Sequence, residues 1–217
     1  MAPHFGLPEF GFLLGGLRWT VLLTVIAFAC GCSVGLLVAL LRTCGVRAVE
    51  RGMRLYIGLF QGTPLLLQLF VVYYGLGLIG IKLSAFVSVA IGFTVNASAF
   101  LGEIWRGAIE SVPRGQTEAA TALGLRYAAR MRRVVLPQAL RVSLPATVGY
   151  LVQLIKGTSL AAIVGFIELA RAGQIVSNQT YQPLLVFAVV GALYFALCWP
   201  LSLLGSRMEA RLAAPGR

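Results

Sequence analysis

The sequence predicts an all-α, polytopic membrane protein, and three features carry that prediction. Hydrophobic residues fill 59% of the 217 positions and charged residues only 12%, a balance foreign to soluble domains. Four stretches hold no charge at all: Arg18 to Arg42, Arg54 to Lys82, Lys82 to Glu103 and Arg171 to Arg207 enclose 23, 27, 20 and 35 uncharged residues. A helix needs about 20 apolar residues to cross a hydrocarbon core of about 30 Å. The stretches are also continuous, not alternating, which argues against a β-barrel. A fifth segment, Val142 to Ile167, is interrupted by Lys156 alone.

These features give one transmembrane domain over residues 1–217, with spans at about 17–41, 55–80, 83–109, 139–166 and 184–204. The N-terminus lacks a basic flank and a small-residue cleavage site, so it does not read as a cleaved signal peptide. Span 1 carries Gly31 and Gly35, four apart, a small-residue stripe where a neighbouring helix can approach; Gly11 and Gly15 repeat the spacing upstream. Span 2 opens with Gln61-Gly62-Thr63-Pro64. A proline there frees a backbone carbonyl and predicts a kink or break, tolerated in a membrane where protein or a cavity supplies partners. Gly75, Gly77 and Gly80 match G-x-G-x-x-G by chance, since no soluble strand precedes them. Span 3 includes Asn96, Ser98 and Glu103, and a cytoplasmic loop of about 110–137 follows. Span 4 holds Pro145, Gln153, Lys156, Thr158 and Ser159. The polar string ELARAGQIVSNQTYQP reads as an external loop, span 5 follows, and a basic tail ends the sequence.

The net charge of +11 is explained by where it falls. If loops alternate sides, Arg42, Arg47, Arg51 and Arg54 share a side with Arg106, Arg114, Arg126, Arg130, Arg132, Arg133 and Arg141, and with Arg207, Arg211 and Arg217. The other side has only Arg18, Lys82 and Arg171. Positive-inside bias makes the rich side cytoplasmic, with the N-terminus outside and the C-terminus inside. Contact with a lipid bilayer accounts for the basicity, and nucleic acid is not needed. Cys30, Cys32, Cys44 and Cys198 sit in or beside spans and read as small apolar fillers. With His4 as the sole histidine, neither a His-based metal site nor a Ser-His-Asp triad has material, and no catalytic residue is assigned.

The segment from Glu118 to Pro137 is too basic to be embedded, yet it is fixed at both ends to spans. Thr117 can cap a helix there, and Glu118 suits the positive end of its dipole. Ala119 or Ala120, Leu123, Tyr127 and Met131 recur as one helical face, and Arg126, Arg130 and Arg133 as another. Gly124 permits a turn between two short helices, while Leu136-Pro137 would restart the chain into span 4. Alone, such a basic face also suits anionic lipid headgroups.

Glu118-Ala119-Ala120, Gly124 and Leu136-Pro137 together resemble the EAA loop of ATP-binding-cassette importer permeases, which docks in a cleft of the ATPase subunit. The strings GTPLLLQLFVVYYGLG and NASAFLGEIWRGAIESVPRGQ resemble the polar amino-acid permeases of that group, the histidine, glutamine and arginine type. The resemblance implies a type I importer permease fold in a bacterial cytoplasmic membrane and a transport subunit, not an enzyme. It implies ATPase coupling through Glu118, Ala119, Ala120, Leu123, Gly124, Arg126 and Tyr127. It also implies an ATPase dimer, a second permease copy, identical or similar, and an extracytoplasmic solute-binding protein as partners. ATP and Mg would sit on the ATPase; no G-x-x-x-x-G-K-[ST] occurs here and this chain is expected to bind no cofactor.

Charges inside spans need partners or water. Glu103 is expected to be structural, paired with Arg106 one turn on. Lys156 either holds a solute carboxylate or snorkels, and Asn96, Ser98, Gln153, Thr158 and Ser159 are the polar residues expected beside it along a pathway. LIKGTSL resembles the LLKDTSL of amino-acid permeases, with Gly157 in place of the acid. The resemblance carries the carboxylate contact to Lys156 but not the amino-group contact, unless an acid elsewhere supplies it. The solute then has an altered or absent α-amino group, or is an acidic amino acid. An ATPase-independent carrier or channel is the alternative class; it leaves the 118–137 segment unexplained.

Overall fold

The computed structural model describes residues 4–213, so Arg217 of the basic tail lies outside the described residues. Helix α1 (Leu7–Arg42) starts well upstream of Leu17. Pro8 sits in its first turn, where a missing N–H is not needed, and the Glu9 carboxylate accepts the Gly6 N–H at 2.9 Å. At 36 residues α1 is about 54 Å long, so it tilts or projects beyond the hydrocarbon core.

The second span is broken. Helices α2 (Arg47–Gly62) and α3 (Leu65–Phe70) meet at Thr63-Pro64 with a bend of 103°, and a π-helical turn (Val71–Gly75) and α4 (Leu76–Leu78) continue the second arm. The break expected at Pro64 in the span of about 55–80 is present, as two helical arms. Pro64 has no N–H for the ladder, and its ring crowds the preceding turn. Helix α2 carries Arg47, Glu50, Arg51 and Arg54 and buries only Ile57, which suits a surface helix better than a lipid-spanning one.

Helix α5 (Ala85–Ser111) packs along α1, its start capped by Ser84, whose Oγ accepts the Val87 N–H at 3.3 Å. The expected stripe is the contact: a Cβ on Gly31 would stand 2.5 Å from Ala97 Cβ, and one on Gly35 would stand 3.1 Å from Leu101 Cβ. The upstream repeat is not used, since Gly11 and Gly15 face open space. Gly16 instead meets Ala172.

Helices α6 (Arg114–Ala122) and α7 (Tyr127–Arg130) lead into a π-helical turn (Met131–Val135), α8 (Leu136–Gly157) and a 3-10 turn (Thr158–Val164). From Tyr127 to Val164 the backbone is one 38-residue helical rod. Leu136-Pro137 thus continues a helix already running and does not restart it. The π-helical turn just before Pro137 accommodates the lost N–H, and Gln138 Nε2 donates to Val134 O at 2.8 Å.

The expected external loop is a helix, α9 (Leu169–Thr180). Leu169, Ala172 and Val176 recur along its buried face and pack with Leu13 of α1 and with Val186 and Val190 of α10 (Pro183–Ala213). Glu168 caps α9: its carboxylate accepts the N–H groups of Ala170 and Arg171 at 2.7 and 2.8 Å and the Tyr194 hydroxyl at 2.9 Å. Burial pushes this carboxyl up from its ordinary value, against the pull of those three donors.

The main core joins α1, α3, α5 and α8 around Phe93, with Leu23, Leu69, Leu101 and Leu154. Large apolar side chains also ring the outside, among them Leu37, Phe195 and Trp199, as a lipid-facing surface requires.

Candidate functional site: an exposed loop and a polar cavity on one rod

Helix α6 begins at Arg114 behind Pro113, so Thr117 is interior and not the cap; its carbonyl accepts the Thr121 hydroxyl at 2.8 Å. The helix ends in a Schellman motif. The Gly124 N–H donates to Thr121 O at 2.9 Å, and the Leu125 N–H donates to Ala120 O at 3.1 Å. That closure needs a left-handed residue, and Gly124 supplies it with φ 75°. The break means that Ala119, Leu123, Tyr127 and Met131 do not share one continuous face. Ala120 is buried, while Glu118, Ala119, Leu123, Gly124, Arg126 and Tyr127 are exposed, Leu123 by 82%. Arg130 folds back: it donates to Thr121 Oγ1 at 2.8 Å and lies 5.7 Å over the Tyr127 ring. Two short helices therefore present a compact exposed knuckle.

Toward the other end of the rod, a cavity of about 400 Å³ opens where α8 meets α3 and α5, lined by Leu65, Asn96, Tyr150, Gln153, Lys156 and Ser159 among others. Its polar wall is a chain of hydrogen bonds. Tyr150 donates to Asn96 Oδ1 at 3.2 Å, and Asn96 Nδ2 donates to Gln68 Oε1 at 3.1 Å. Gln68 Nε2 in turn donates to the carbonyls of Phe60 and Thr63, at 2.8 and 3.0 Å, and to Thr63 Oγ1 at 3.0 Å. The carbonyls exposed by the break are thus satisfied by a side chain that also braces the cavity.

Gln153 and Lys156, three apart on α8, share an exposed face. Among the described residues the ion pairs join Arg106 to Glu103 at 2.6 Å and Arg106 to Glu110; none involves Lys156. Glu103 therefore has the expected partner.

Four of the six polar residues expected along a pathway meet here: Asn96, Gln153, Lys156 and Ser159. Ser98 and Thr158 lie elsewhere. Ser98 donates to Val95 O and pairs with the Tyr56 hydroxyl at 2.6 Å, joining α2 to α5. Thr158 is fully buried and donates to Ile155 O at 2.7 Å. Sequence reasoning missed Gln68 and Tyr150. Gln68 could have been found as the donor that a proline-broken turn requires four residues on, whereas Tyr150 gave no local signal.

The sequence matches, over residues 31–214, the family described as binding-protein-dependent transport system inner membrane component. It is 35% identical over 190 residues to the probable amino-acid ABC transporter permease protein YckA of Bacillus subtilis, covering 88% of this chain and 84% of that one. It is 37% identical over 201 residues to the L-cystine transport system permease protein TcyB of Bacillus subtilis, covering 92% and 86%. Among solved structures, a chain from the crystal structure of an amino acid ABC transporter with histidines superposes with a TM-score of 0.85. That match has 33% identity and covers 93% of this chain and 94% of the other.

Proposed function

The chain belongs to the family of binding-protein-dependent transport system inner membrane components, and from that membership we propose that it is the membrane-spanning subunit of an ATP-driven importer for polar amino acids or related small solutes. It is a transport subunit, not an enzyme; ATP is hydrolysed in a separate subunit, which holds the nucleotide and Mg. An extracytoplasmic binding protein delivers solute to the outer face. ATP binding closes two ATPase subunits, whose clefts hold the knuckle formed by Glu118, Ala119, Ala120, Leu123, Gly124, Arg126 and Tyr127. That motion opens two permease copies outward, and hydrolysis returns them inward. The N-terminus lies outside and the C-terminus in the cytoplasm, the orientation that puts the basic loops inside.

One observation supports this reading above others. The exposed knuckle leads directly into the rod Tyr127–Val164, and that rod carries Gln153 and Lys156 into the polar cavity. A push at one end reaches the other without crossing a loop. Solute contact is assigned to Asn96, Gln153, Lys156 and Ser159, with Lys156 holding a carboxylate.

The test is to isolate the tagged protein from native membranes in mild detergent and identify what co-elutes. An ATPase subunit is expected in stoichiometric amount and should be lost with Gly124→Asp. A chain that elutes alone, folded, would favour the ATPase-independent carrier. In the assembled transporter, Lys156→Met should abolish solute-stimulated ATPase activity; unchanged stimulation would remove Lys156 from the pathway.

A further inference from the structure

We propose that the solute held in the Lys156 cavity carries a net negative charge, as a small carboxylate anion; this rests on the cavity being the solute site, as argued above. The Lys156 ammonium is the one charge among the residues lining that cavity, and no ion pair among the described residues engages it. No acid lines the cavity beside it. The sequence contains no aspartate, and its seven acids are all glutamates.

Each glutamate lies elsewhere. Glu9 and Glu168 accept backbone N–H groups around the starts of α1 and α9, and Glu50 accepts the Gly45 N–H at 3.0 Å. Glu103 and Glu110 hold Arg106. Glu118 lies in α6, and Glu209 lies near the end of α10. None of the seven lines the cavity.

The neutral groups do not compensate. Asn96 Oδ1 accepts from Tyr150 and Asn96 Nδ2 is used on Gln68, so Asn96 offers a solute only the second lone pair of its oxygen and no charge. Within the lining, the Gln153 amide has no hydrogen-bond partner among the described residues and the Ser159 hydroxyl donates to Lys156 O; both can accept from a solute ammonium, but neither supplies a negative charge. A carboxylate gains a charge-assisted bond from Lys156, while a solute cation meets a like charge.

Gly157 makes the inference testable, because it sits beside Lys156 with ordinary helical backbone, φ −62°. A Cβ there would meet only Phe93 at 3.4 Å and Leu65 at 3.7 Å, so a short acid can be added without displacing backbone.

The experiment is calorimetric titration of the detergent-purified assembly, binding protein omitted, with succinate, L-glutamate, L-glutamine and L-arginine. Succinate or glutamate should bind at least about tenfold more tightly than glutamine or arginine. Lys156→Met should remove that binding. Gly157→Asp should weaken both anions by about tenfold and admit glutamine or arginine, a gain that no unfolded variant can imitate. Arginine or glutamine binding the native assembly as tightly as the anions, and lost with Lys156→Met, would overturn the charge assignment while leaving the cavity as the site. Binding indifferent to Lys156→Met, or silence from all four solutes, would remove the cavity as the solute site, and the charge assignment with it.

Discussion

Gln68 supplies at the broken second span the donor that Pro64 withholds, and its other end holds Asn96 in place. Replacing it with leucine would leave two carbonyls and the Asn96 amide unpaired in an apolar setting. Gln68→Leu should therefore lower stability by about 1–3 kcal/mol, read as a fall in Tm in detergent, and should also weaken solute response, because the cavity wall loosens. A variant that loses stability but responds normally would confine Gln68 to the break. Gly31 sets a second residue-scale limit: with Ala97 Cβ at 2.5 Å from any added Cβ, Gly31→Val should cost about 1–3 kcal/mol through overpacking of α1 on α5. Ser98 and Thr158 explain why polar residues in spans are ambiguous in a sequence. A serine or threonine can return its hydroxyl to a carbonyl of the preceding turn, as both do here, and then needs no pathway. Neither Gln153 nor Lys156 returns its side chain to the helix in that way, and both reach the cavity.

Among the elements, α6 and α9 differ in how much of them could be read in advance. The turn at Gly124 was legible because glycine adopts its φ without strain, whereas the start of α6 was not, since Thr117 offers a plausible cap that Pro113 pre-empts. Open space around Gly124 means that a side chain there strains only the backbone, by about 1–2 kcal/mol. Gly124→Asp should therefore leave the permease folded, with a Tm close to native, while abolishing co-purification of the ATPase. A large Tm loss would mean that the turn holds the fold and not the partner. Helix α9 was hidden because its exposed side is as polar as a loop. Its buried side, Leu169, Ala172 and Val176, did carry a helical period. Its cap makes a pH prediction. Glu168 binds its proton more tightly folded than unfolded, so it adds stability below the ordinary carboxylate range and loses that contribution as pH rises through the folded value. Tm should fall across that interval more steeply in the native protein than in Glu168→Gln; parallel curves would deny the carboxylate any change of protonation there.

For the molecule as a whole, long uncharged runs made the membrane class legible, because lipid tolerates little else over 20 or so residues. The bend of 103° was less legible: Pro64 announced a break but not its angle, which depends on where Gln68 and α5 hold the second arm. Orientation has a direct check in the native cysteines. Cys44 lies in the turn between α1 and α2, while Cys30 and Cys32 lie within α1 and Cys198 within α10. A membrane-impermeant maleimide should label Cys44 in inverted vesicles and not in intact cells; the opposite pattern would invert the topology.

The unbroken rod from Tyr127 to Val164 also has a mechanical meaning. Between Tyr127 and Lys156 it is a lever arm of about 43 Å, so a tilt of about 5° at the knuckle sweeps the ammonium through about 4 Å. That is more than a hydrogen bond's length. A rocking motion of that size would be enough to take Lys156 off a carboxylate held as proposed, provided the π-helical turn at Met131–Val135 stays stiff.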